Sequence, residues 1–391
     1  MYEDIRAKLA GLVIFKNIGC DCALEHLDMY FRGVDENCVE LAAAEYAEFV
    51  SAVLSCSQNF SEYLYRRIMS DDNIFIRKYF SGNADFLAEQ LRYELDFLRE
   101  LADSLPDDPV SGVRFPAVAG DDIDYCTEYM KALPDAHKRG VGIFAESAMF
   151  RVDDNGELIP VKTADTQNLS DLIGYERERR RIVENTAVLM EGKVAANALL
   201  YGDAGTGKSS TVKAIVAKFA ADGLRLIELQ PHQVSLIPGI LEAVKDEPLK
   251  FIIFIDDLTL APDSAELTTL KTVLEGGAGT DRTNSVIYVT SNHRHLVKET
   301  AADRAGEVNV QDNLQSVHGL SARFGLTVTF LVPDRELYLS IVRNLAEERG
   351  LDVTDALLSG AEAFAIRRNG RTPRCAKQYI QLVASGIDPI R

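Results

Sequence analysis

Apolar side chains recur at helical spacing through residues 1–104 of the chain. The repeat is clearest in residues 83–105, where one face of a helix would be apolar and the opposite face would carry glutamates and arginines. The leucines of the apolar face are Leu87, Leu91, Leu95 and Leu98. The pattern therefore predicts an all-helical N-terminal domain over residues 1–105.

The helical pattern ends at Pro106-Asp107-Asp108-Pro109, a sequence typical of a loop. Further on, short apolar runs flank Asn155-Gly156, which is a common turn of a tight β-hairpin. We predict that residues 106–168 form an irregular linker with a short helix near residues 123–133 and this small hairpin.

From residue 169 onward, apolar runs of strand length alternate with helical stretches. This alternation predicts an α/β fold with a parallel five-stranded sheet over residues 169–332 and ligand sites at the carboxyl ends of the strands. Three further helices predict a small helical C-terminal domain over residues 333–391. The predicted strands are Ala198–Tyr201, Leu226–Leu229, Phe251–Ile255, Ser285–Ser291 and Leu326–Leu331.

The net charge of −18 is concentrated in the first part of the chain, where residues 1–150 carry 14 basic and 27 acidic side chains. A nucleic-acid-binding face is normally basic. The acidic N-terminal half therefore favours a protein partner, and an acidic surface that serves only solubility is the alternative.

The chain contains no apolar run that approaches the roughly 18 residues of a membrane span, and no basic segment leads into an apolar one at its N-terminus. Its six cysteines are scattered, and the Cys20-Asp21-Cys22 pair is too closely spaced for a usual zinc site. We expect free thiols and a cytoplasmic protein that does not enter a membrane.

A phosphate-binding pattern, GxxxxGK(S/T), follows the first predicted strand of the sheet. Its glycines allow backbone N–H groups to surround phosphate oxygens, Lys208 supplies a positive charge, and the Ser209 hydroxyl is placed to bind Mg²⁺. The apolar positions after Ser209 have helical spacing, as this motif requires. The loop consists of Gly202, Asp203, Ala204, Gly205, Thr206, Gly207, Lys208 and Ser209.

Polar side chains end two further strands of the predicted sheet. Asp256 and Asp257 follow the apolar run Phe251–Ile255, and Asn292 follows the next strand. We expect Asp256 to lie beside Mg²⁺, directly or through a water, and Asp257 to orient or deprotonate an attacking water. Asn292 is expected to hold that water or a phosphate oxygen, and capping of the following turn is its alternative role.

Three arginines are candidate anion-binding groups. Arg323 precedes the last strand and is placed to stabilise charge on a transferring phosphoryl group. Arg371 and Arg374 begin a helix, where a cation is unfavourable unless an anion lies nearby. Beyond Asn292, His293 and His295 would face one side of an extended strand, but no third metal ligand is evident.

These motifs, in this order, resemble those of the AAA+ ATPases over residues 169–385. The resemblance implies that Gly202–Ser209 is the Walker A loop, that Asp256-Asp257 is Walker B, and that Leu169–Gly174 contacts adenine. By the same resemblance the remaining site residues would be Ile173 and Gly174 at the base, Ser210 after the loop, Asn292 as sensor 1, Arg323 as the arginine finger, and Arg371 or Arg374 as sensor 2.

The residues within these motifs also resemble those of an uncharacterised bacterial AAA+ family of predicted ATP-binding proteins. This narrower resemblance includes Leu274-Glu275-Gly276-Gly277 and Ser321-Ala322-Arg323-Phe324-Gly325. Two positions depart from the wider superfamily. Asp257 stands where most members carry glutamate, and Gln230–Val234 lacks the aromatic residue of a pore loop, which argues against a protein-unfolding motor.

The resemblance implies an ATPase that binds Mg²⁺ and ATP, releases ADP and phosphate, and works as a homo-oligomer. Its N-terminal helical domain would bind a protein that the ATPase remodels or switches. One alternative is a slow or non-hydrolysing scaffold controlled by the nucleotide. Another is a loader-type factor that acts on nucleic acid, against which the acidic N-terminal half argues. A single-subunit P-loop kinase is the third.

Overall fold

A computed structural model describes residues 2–161, 168–261, 264–275, 283–292, 320–368 and 370–389 of the chain. The chain divides into two compact units, Met1–Glu146 and Ser147–Arg391. None of the helices among the described residues is long and apolar enough to cross a membrane.

The first unit is helical, as the sequence predicts. Several of its helices begin at a side-chain cap: Asp21 accepts a hydrogen bond from the N–H of Ala23, and Asn59 accepts one from the N–H of Glu62. The described helices are α1 Glu3–Ala10, α2 Lys16–Gly19, α3 Cys22–Asp35, α4 Val39–Cys56, α5 Phe60–Ser70, α6 Ile74–Phe80, α7 Ala88–Asp103, α8 Tyr125–Ala132, α9 Ala136–Arg139 and α10 Ile143–Glu146.

Residues 106–146, which the sequence pattern assigns to a linker, pack with this first unit. Their buried side chains join the same core as Leu91 and Leu95 of α7. The reason is that isolated apolar residues in an irregular segment are buried without producing a periodic pattern. The division of the chain at residues 105, 168 and 332 stays a prediction. The buried residues of the segment include Val110, Val118, Tyr125, Tyr129 and Leu133.

The second unit contains a sheet whose order is β2-β1-β4-β5-β6-β3-β7. The prediction of a five-stranded sheet is wrong, because the described residues form a seven-stranded one. The hairpin around Asn155-Gly156 adds two strands, since apolar Met149 and Phe150 are buried where β1 pairs in parallel with β4. The strands are β1 Met149–Val152, β2 Leu158–Pro160, β3 Ala198–Gly202, β4 Leu224–Leu229, β5 Lys250–Ile255, β6 Ser285–Ser291 and β7 Leu326–Phe330.

Strand β6 lies between β3 and β5, and these three strands run in parallel. Because the carboxyl ends of parallel strands meet at one edge of a sheet, the residues that follow β3, β5 and β6 are brought together there. Helices cover the sheet, and apolar residues of α12 are buried against β3, β4 and β5. The helices between strands are α11 Glu176–Met190, α12 Lys208–Phe219, α13 Ile237–Ala243 and α14 Ala265–Leu274.

The C-terminal helices have a core of their own. They are α15 Arg335–Glu347, α16 Asp355–Arg367 and α17 Pro373–Ala384. Residues 331–334, which we call the hinge segment, connect β7 to α15. Partly buried Ile173 and Leu337 pack against this core, so the segment before α11 touches the C-terminal helices.

Candidate functional site

The GxxxxGK(S/T) pattern lies between β3 and α12, with Lys208 as the first residue of the helix. Gly202, Gly205 and Gly207 have φ angles of 138°, 76° and 93°, which glycine adopts readily and other residues rarely do. The loop therefore turns its backbone toward the helix N-terminus, where unpaired N–H groups favour an anion.

The Lys208 ammonium group is nearly buried and has three oxygen partners. Its Nζ donates hydrogen bonds to the carbonyl oxygens of Gly202 at 2.8 Å and Asp203 at 2.7 Å, and to Oδ1 of Asn292 at 3.0 Å. Burial lowers the pKa of Lys208, and the nearby carboxylates, Asp257 first among them, oppose this shift. These three oxygens hold the lysine at the mouth of the loop.

Asp256, which follows β5, lies beside Ser209. Oδ1 of Asp256 accepts hydrogen bonds from the hydroxyl groups of Ser209 at 2.5 Å and of Thr290 at 2.6 Å. A carboxylate and a hydroxyl oxygen are hard ligands of the kind that Mg²⁺ prefers, and Mg²⁺ usually completes its shell with water and phosphate oxygens. The donor set therefore fits Mg²⁺ held together with a phosphate.

Asp257 and Asn292 are hydrogen-bonded to each other. Nδ2 of Asn292 donates to Oδ1 of Asp257 at 2.6 Å, while Oδ1 of Asn292 accepts from Lys208. Asp257 has a φ angle of 51°, an uncommon value for a residue with a side chain. Its N–H donates to Oγ1 of Thr290 at 2.8 Å, which helps to hold this conformation. Thr290 had no role in the sequence interpretation, although it is a polar residue near the end of a buried strand.

A cleft of about 580 Å³ opens at this edge of the sheet. Its lining includes Lys208, Asp256 and Asn292, and it also includes several apolar side chains. The sequence pattern places Ile341 and Leu345 on one face of a helix but does not indicate a cleft. They line the cleft because of the way α15 packs beside the phosphate loop. The apolar lining residues include Leu172, Ile173, Ile341 and Leu345, of which Ile173 and Leu345 pack against the core that contains Ile341. The described lining residues that the sequence interpretation missed also include Tyr175, Arg179, Lys213 and Lys377.

Polar contacts hold the segment before α11 beside the cleft. Buried Arg179 donates a hydrogen bond to the carbonyl oxygen of Gly174, and burial lowers the pKa of this guanidinium. The Tyr175 hydroxyl donates to the carbonyl oxygen of Leu331 in the hinge segment at 2.5 Å. Ile173 lines the cleft, whereas Gly174 is not among the described lining residues, and a Cβ on Gly174 would lie 2.9 Å from Cδ1 of Leu337.

The three candidate arginines lie in different places. Arg374 lines the cleft, and its N–H donates to the carbonyl oxygen of Gly205 at 3.2 Å. Arg371 lies 3.7 Å from Glu362 on the neighbouring helix. Arg323 is paired with Glu275 at 2.5 Å and is not among the described residues that line the cleft. His293, His295, Gly276 and Gly277 lie outside the described residues.

One protein family matches the chain, the one described as "Protein of unknown function (DUF815)", over residues 145–387. No curated protein is significantly similar to the chain. Residues 145–387 contain the whole phosphate loop, both aspartates and all three candidate arginines.

Solved structures with a similar arrangement include the RuvB Holliday junction branch migration motor of Thermotoga maritima, at 18% identity and a TM-score of 0.38 over 57% of this chain and 68% of that one. The FIGL-1 AAA domain in complex with ADP matches at 17% identity and a TM-score of 0.39, over 57% of this chain and 75% of that one. The Aeropyrum pernix ORC1 protein in complex with DNA matches at 16% identity and a TM-score of 0.39, over 58% of this chain and 62% of that one. Similarity this low assigns no activity to the chain.

Gly202→Ala should remove the site while leaving most of the chain folded. A Cβ at this position would lie 2.0 Å from the carbonyl oxygen of Phe330, so β3 and β7 would have to separate at their carboxyl ends. We expect the melting temperature to fall by several degrees, which corresponds to roughly 1–3 kcal/mol, in a thermal unfolding measurement.

Gly239→Ala is the matched control, because a Cβ there meets nothing within 4 Å and Gly239 lies inside helix α13. This change should leave the melting temperature unchanged or raise it slightly. Equal melting temperatures for the two variants would contradict the close approach of Gly202 to β7.

Proposed function

We propose that this chain, which belongs to the DUF815 family, is an ATP-binding P-loop ATPase of the AAA+ type. Its membership confirms the uncharacterised family that the sequence predicts. The observation that carries this proposal is the convergence of Lys208, Ser209, Asp256 and Asn292 at one mouth of the cleft. Phosphate-binding, metal-binding and water-orienting groups meet there, and apolar side chains suited to a base also line the cleft.

In the proposed complex, the β- and γ-phosphates lie against the loop backbone and the Lys208 ammonium. The base lies between Leu172 and Ile173 on one side and Ile341 and Leu345 on the other, where apolar side chains accept a flat ring. Arg374, from the C-terminal helices, adds a positive charge beside the phosphates. A nucleotide bound in this way contacts both the sheet and the C-terminal helices.

For hydrolysis, Asp257 orients or deprotonates the attacking water and Asn292 holds it beside the γ-phosphate. The contact between these two side chains keeps both of them at the mouth of the cleft. Mg²⁺, held by Ser209 and Asp256, would neutralise charge on the phosphate oxygens. The products are ADP and phosphate.

We propose that Arg323 acts on the nucleotide of a neighbouring copy of the chain. The Arg323 side chain is 30% exposed, and its partner Glu275 is 53% exposed, so the pair lies at the surface and away from the cleft of its own chain. A guanidinium supplied by a neighbour raises phosphoryl-transfer rates by about 10³–10⁵-fold in related chemistry. The functional form would therefore be a homo-oligomer.

The acidic helical unit is proposed to bind a protein partner, which the ATPase remodels or switches in the cytoplasm. The support is the excess of 27 acidic over 14 basic side chains in residues 1–150, which disfavours nucleic acid as the direct ligand of this unit. The partner itself would be recognised by complementary positive charge.

Lys208→Ala should abolish turnover, because it removes the cation that faces the phosphates. We expect phosphate release to fall at least about 100-fold and ATP binding to weaken strongly. Lys218→Ala is the control, since Lys218 is exposed on the same helix. Unchanged phosphate release in Lys208→Ala would show that the site is elsewhere.

Arg323→Ala should spare ATP binding and lower turnover, because the guanidinium acts across a subunit boundary. Mixing Arg323→Ala chains with Lys208→Ala chains should restore part of the phosphate release. At some subunit boundaries the intact Lys208 of one chain then meets the intact Arg323 of its neighbour. Arg343→Ala, an exposed arginine of α15, should leave turnover unchanged. A wild-type rate per chain that does not depend on protein concentration, from a monomer, would contradict this assignment.

A second candidate is a scaffold that is controlled by ATP and barely hydrolyses it. Asp257 favours this reading, because aspartate is one methylene shorter than the glutamate usual at this position and its Oδ1 is already bonded to Asn292.

Steady-state phosphate release separates the two candidates. The ATPase predicts clear release by the wild-type chain and a loss of roughly 10²-fold or more in Asp257→Asn, with ATP affinity nearly unchanged. The scaffold predicts release near background in the wild-type chain and an increase in Asp257→Glu.

A further inference from the structure

Asp203, the second residue of the phosphate loop, turns its carboxylate toward the hinge segment. Oδ2 of Asp203 accepts a hydrogen bond from the N–H of Val332 at 2.9 Å. Asp203 is not among the described residues that line the cleft. Nothing in the GxxxxGK(S/T) pattern requires a carboxylate at this position, so its contact needs a separate explanation.

The backbone of Asp203 has two further partners. Its N–H donates to the carbonyl oxygen of Phe330, the last residue of β7, at 3.0 Å. Its carbonyl oxygen accepts from Nζ of Lys208 at 2.7 Å. One residue therefore contacts the phosphate-binding lysine, the end of β7 and the hinge segment.

The hinge segment depends on such polar contacts. Pro333 is buried, but Leu331 and Val332 are 65% and 42% exposed, so burial of apolar surface holds these two residues only weakly. The hydrogen bond from the N–H of Val332 to the carboxylate of Asp203 is one such contact. The Tyr175 hydroxyl, bonded to the carbonyl oxygen of Leu331, supports the segment from its other side.

The loop also contacts the C-terminal helices directly. The N–H of Arg374 donates to the carbonyl oxygen of Gly205, and a Cβ on Gly205 would lie 3.2 Å from atoms of Thr372 and Arg374. The C-terminal helices are thus attached to the loop at two points, through Gly205 at α17 and through Asp203 at the segment that leads into α15. A shift of the loop would therefore displace both of these contacts.

We propose that Asp203 is a positioning residue that ties the phosphate loop to the hinge segment and transmits phosphate binding at Lys208 to the orientation of the C-terminal helices. The second half of this inference rests on the proposed ATP site. The first half, the tie between Asp203 and Val332, does not depend on any ligand.

Amide hydrogen exchange at Val332, measured on the full chain without nucleotide, tests the tie. Asp203→Ala removes the acceptor and should speed exchange roughly tenfold, the equivalent of one ordinary hydrogen bond. Asp203→Asn retains a side-chain oxygen acceptor and should stay within about threefold of wild type. Asp222→Ala, at an exposed aspartate of the same unit, should have no effect. Wild-type exchange at Val332 in Asp203→Ala would overturn the tie.

Exchange in α15 and α17, measured with and without Mg-ATP, tests the transmission. In the wild-type chain and in Asp203→Asn, Mg-ATP should slow exchange in both helices. Asp203→Ala is measured at an Mg-ATP concentration that calorimetry shows to saturate the variant, and there the slowing in α15 should be lost while that in α17 persists through Gly205. A full response of α15 in Asp203→Ala would overturn the transmission.

Failure of the proposed function has a different outcome. If the wild-type chain binds no Mg-ATP, the ATP site and the transmission are both overturned, while exchange at Val332 still decides the tie. If the wild-type chain binds Mg-ATP and α15 responds equally in Asp203→Ala, the ATP site stands and the role of Asp203 is wrong. Circular dichroism of each variant confirms that the chain is folded.

Discussion

The structure of the site depends on one nearly buried positive charge, the Lys208 ammonium. A buried cation is costly unless it is paired or hydrogen-bonded, and Lys208 meets this requirement with oxygens of Gly202, Asp203 and Asn292. These oxygens come from the end of β3, from the loop and from the end of β6. The lysine therefore needs β3 and β6 side by side and parallel, which the sheet order provides.

From Lys208 a continuous chain of hydrogen bonds reaches the groups proposed for metal binding and hydrolysis. Asn292 joins the lysine to Asp257, and Thr290 joins the backbone of Asp257 to the carboxylate of Asp256, which also accepts from Ser209. Polar networks of this kind hold their members in fixed positions when every member is satisfied. A phosphate that approached Lys208 would act on the whole network, and through Asp203 on the hinge segment.

The sequence marks the groups that the structure brings together at the cleft because each lies in a local pattern: a glycine loop before a helix, or a polar residue at the end of an apolar strand. It fails where long-range packing decides. The pairing of Met149–Val152 with β4, the burial of residues 106–146, and the place of Ile341 and Leu345 in the cleft all depend on contacts between distant segments. The bond from Asp203 to Val332 spans 129 positions, and nothing near Asp203 in the sequence indicates it.

The proposed function requires the loop and the two strand ends to form a single Mg-ATP site. Isothermal titration of the wild-type chain with ATP, with and without Mg²⁺, tests this claim most directly. The account predicts one binding event per chain with a dissociation constant below about 1 mM, strengthened by Mg²⁺. Saturating ATP and Mg²⁺ that produce no binding heat at two temperatures, or binding that Mg²⁺ leaves unchanged, would contradict it.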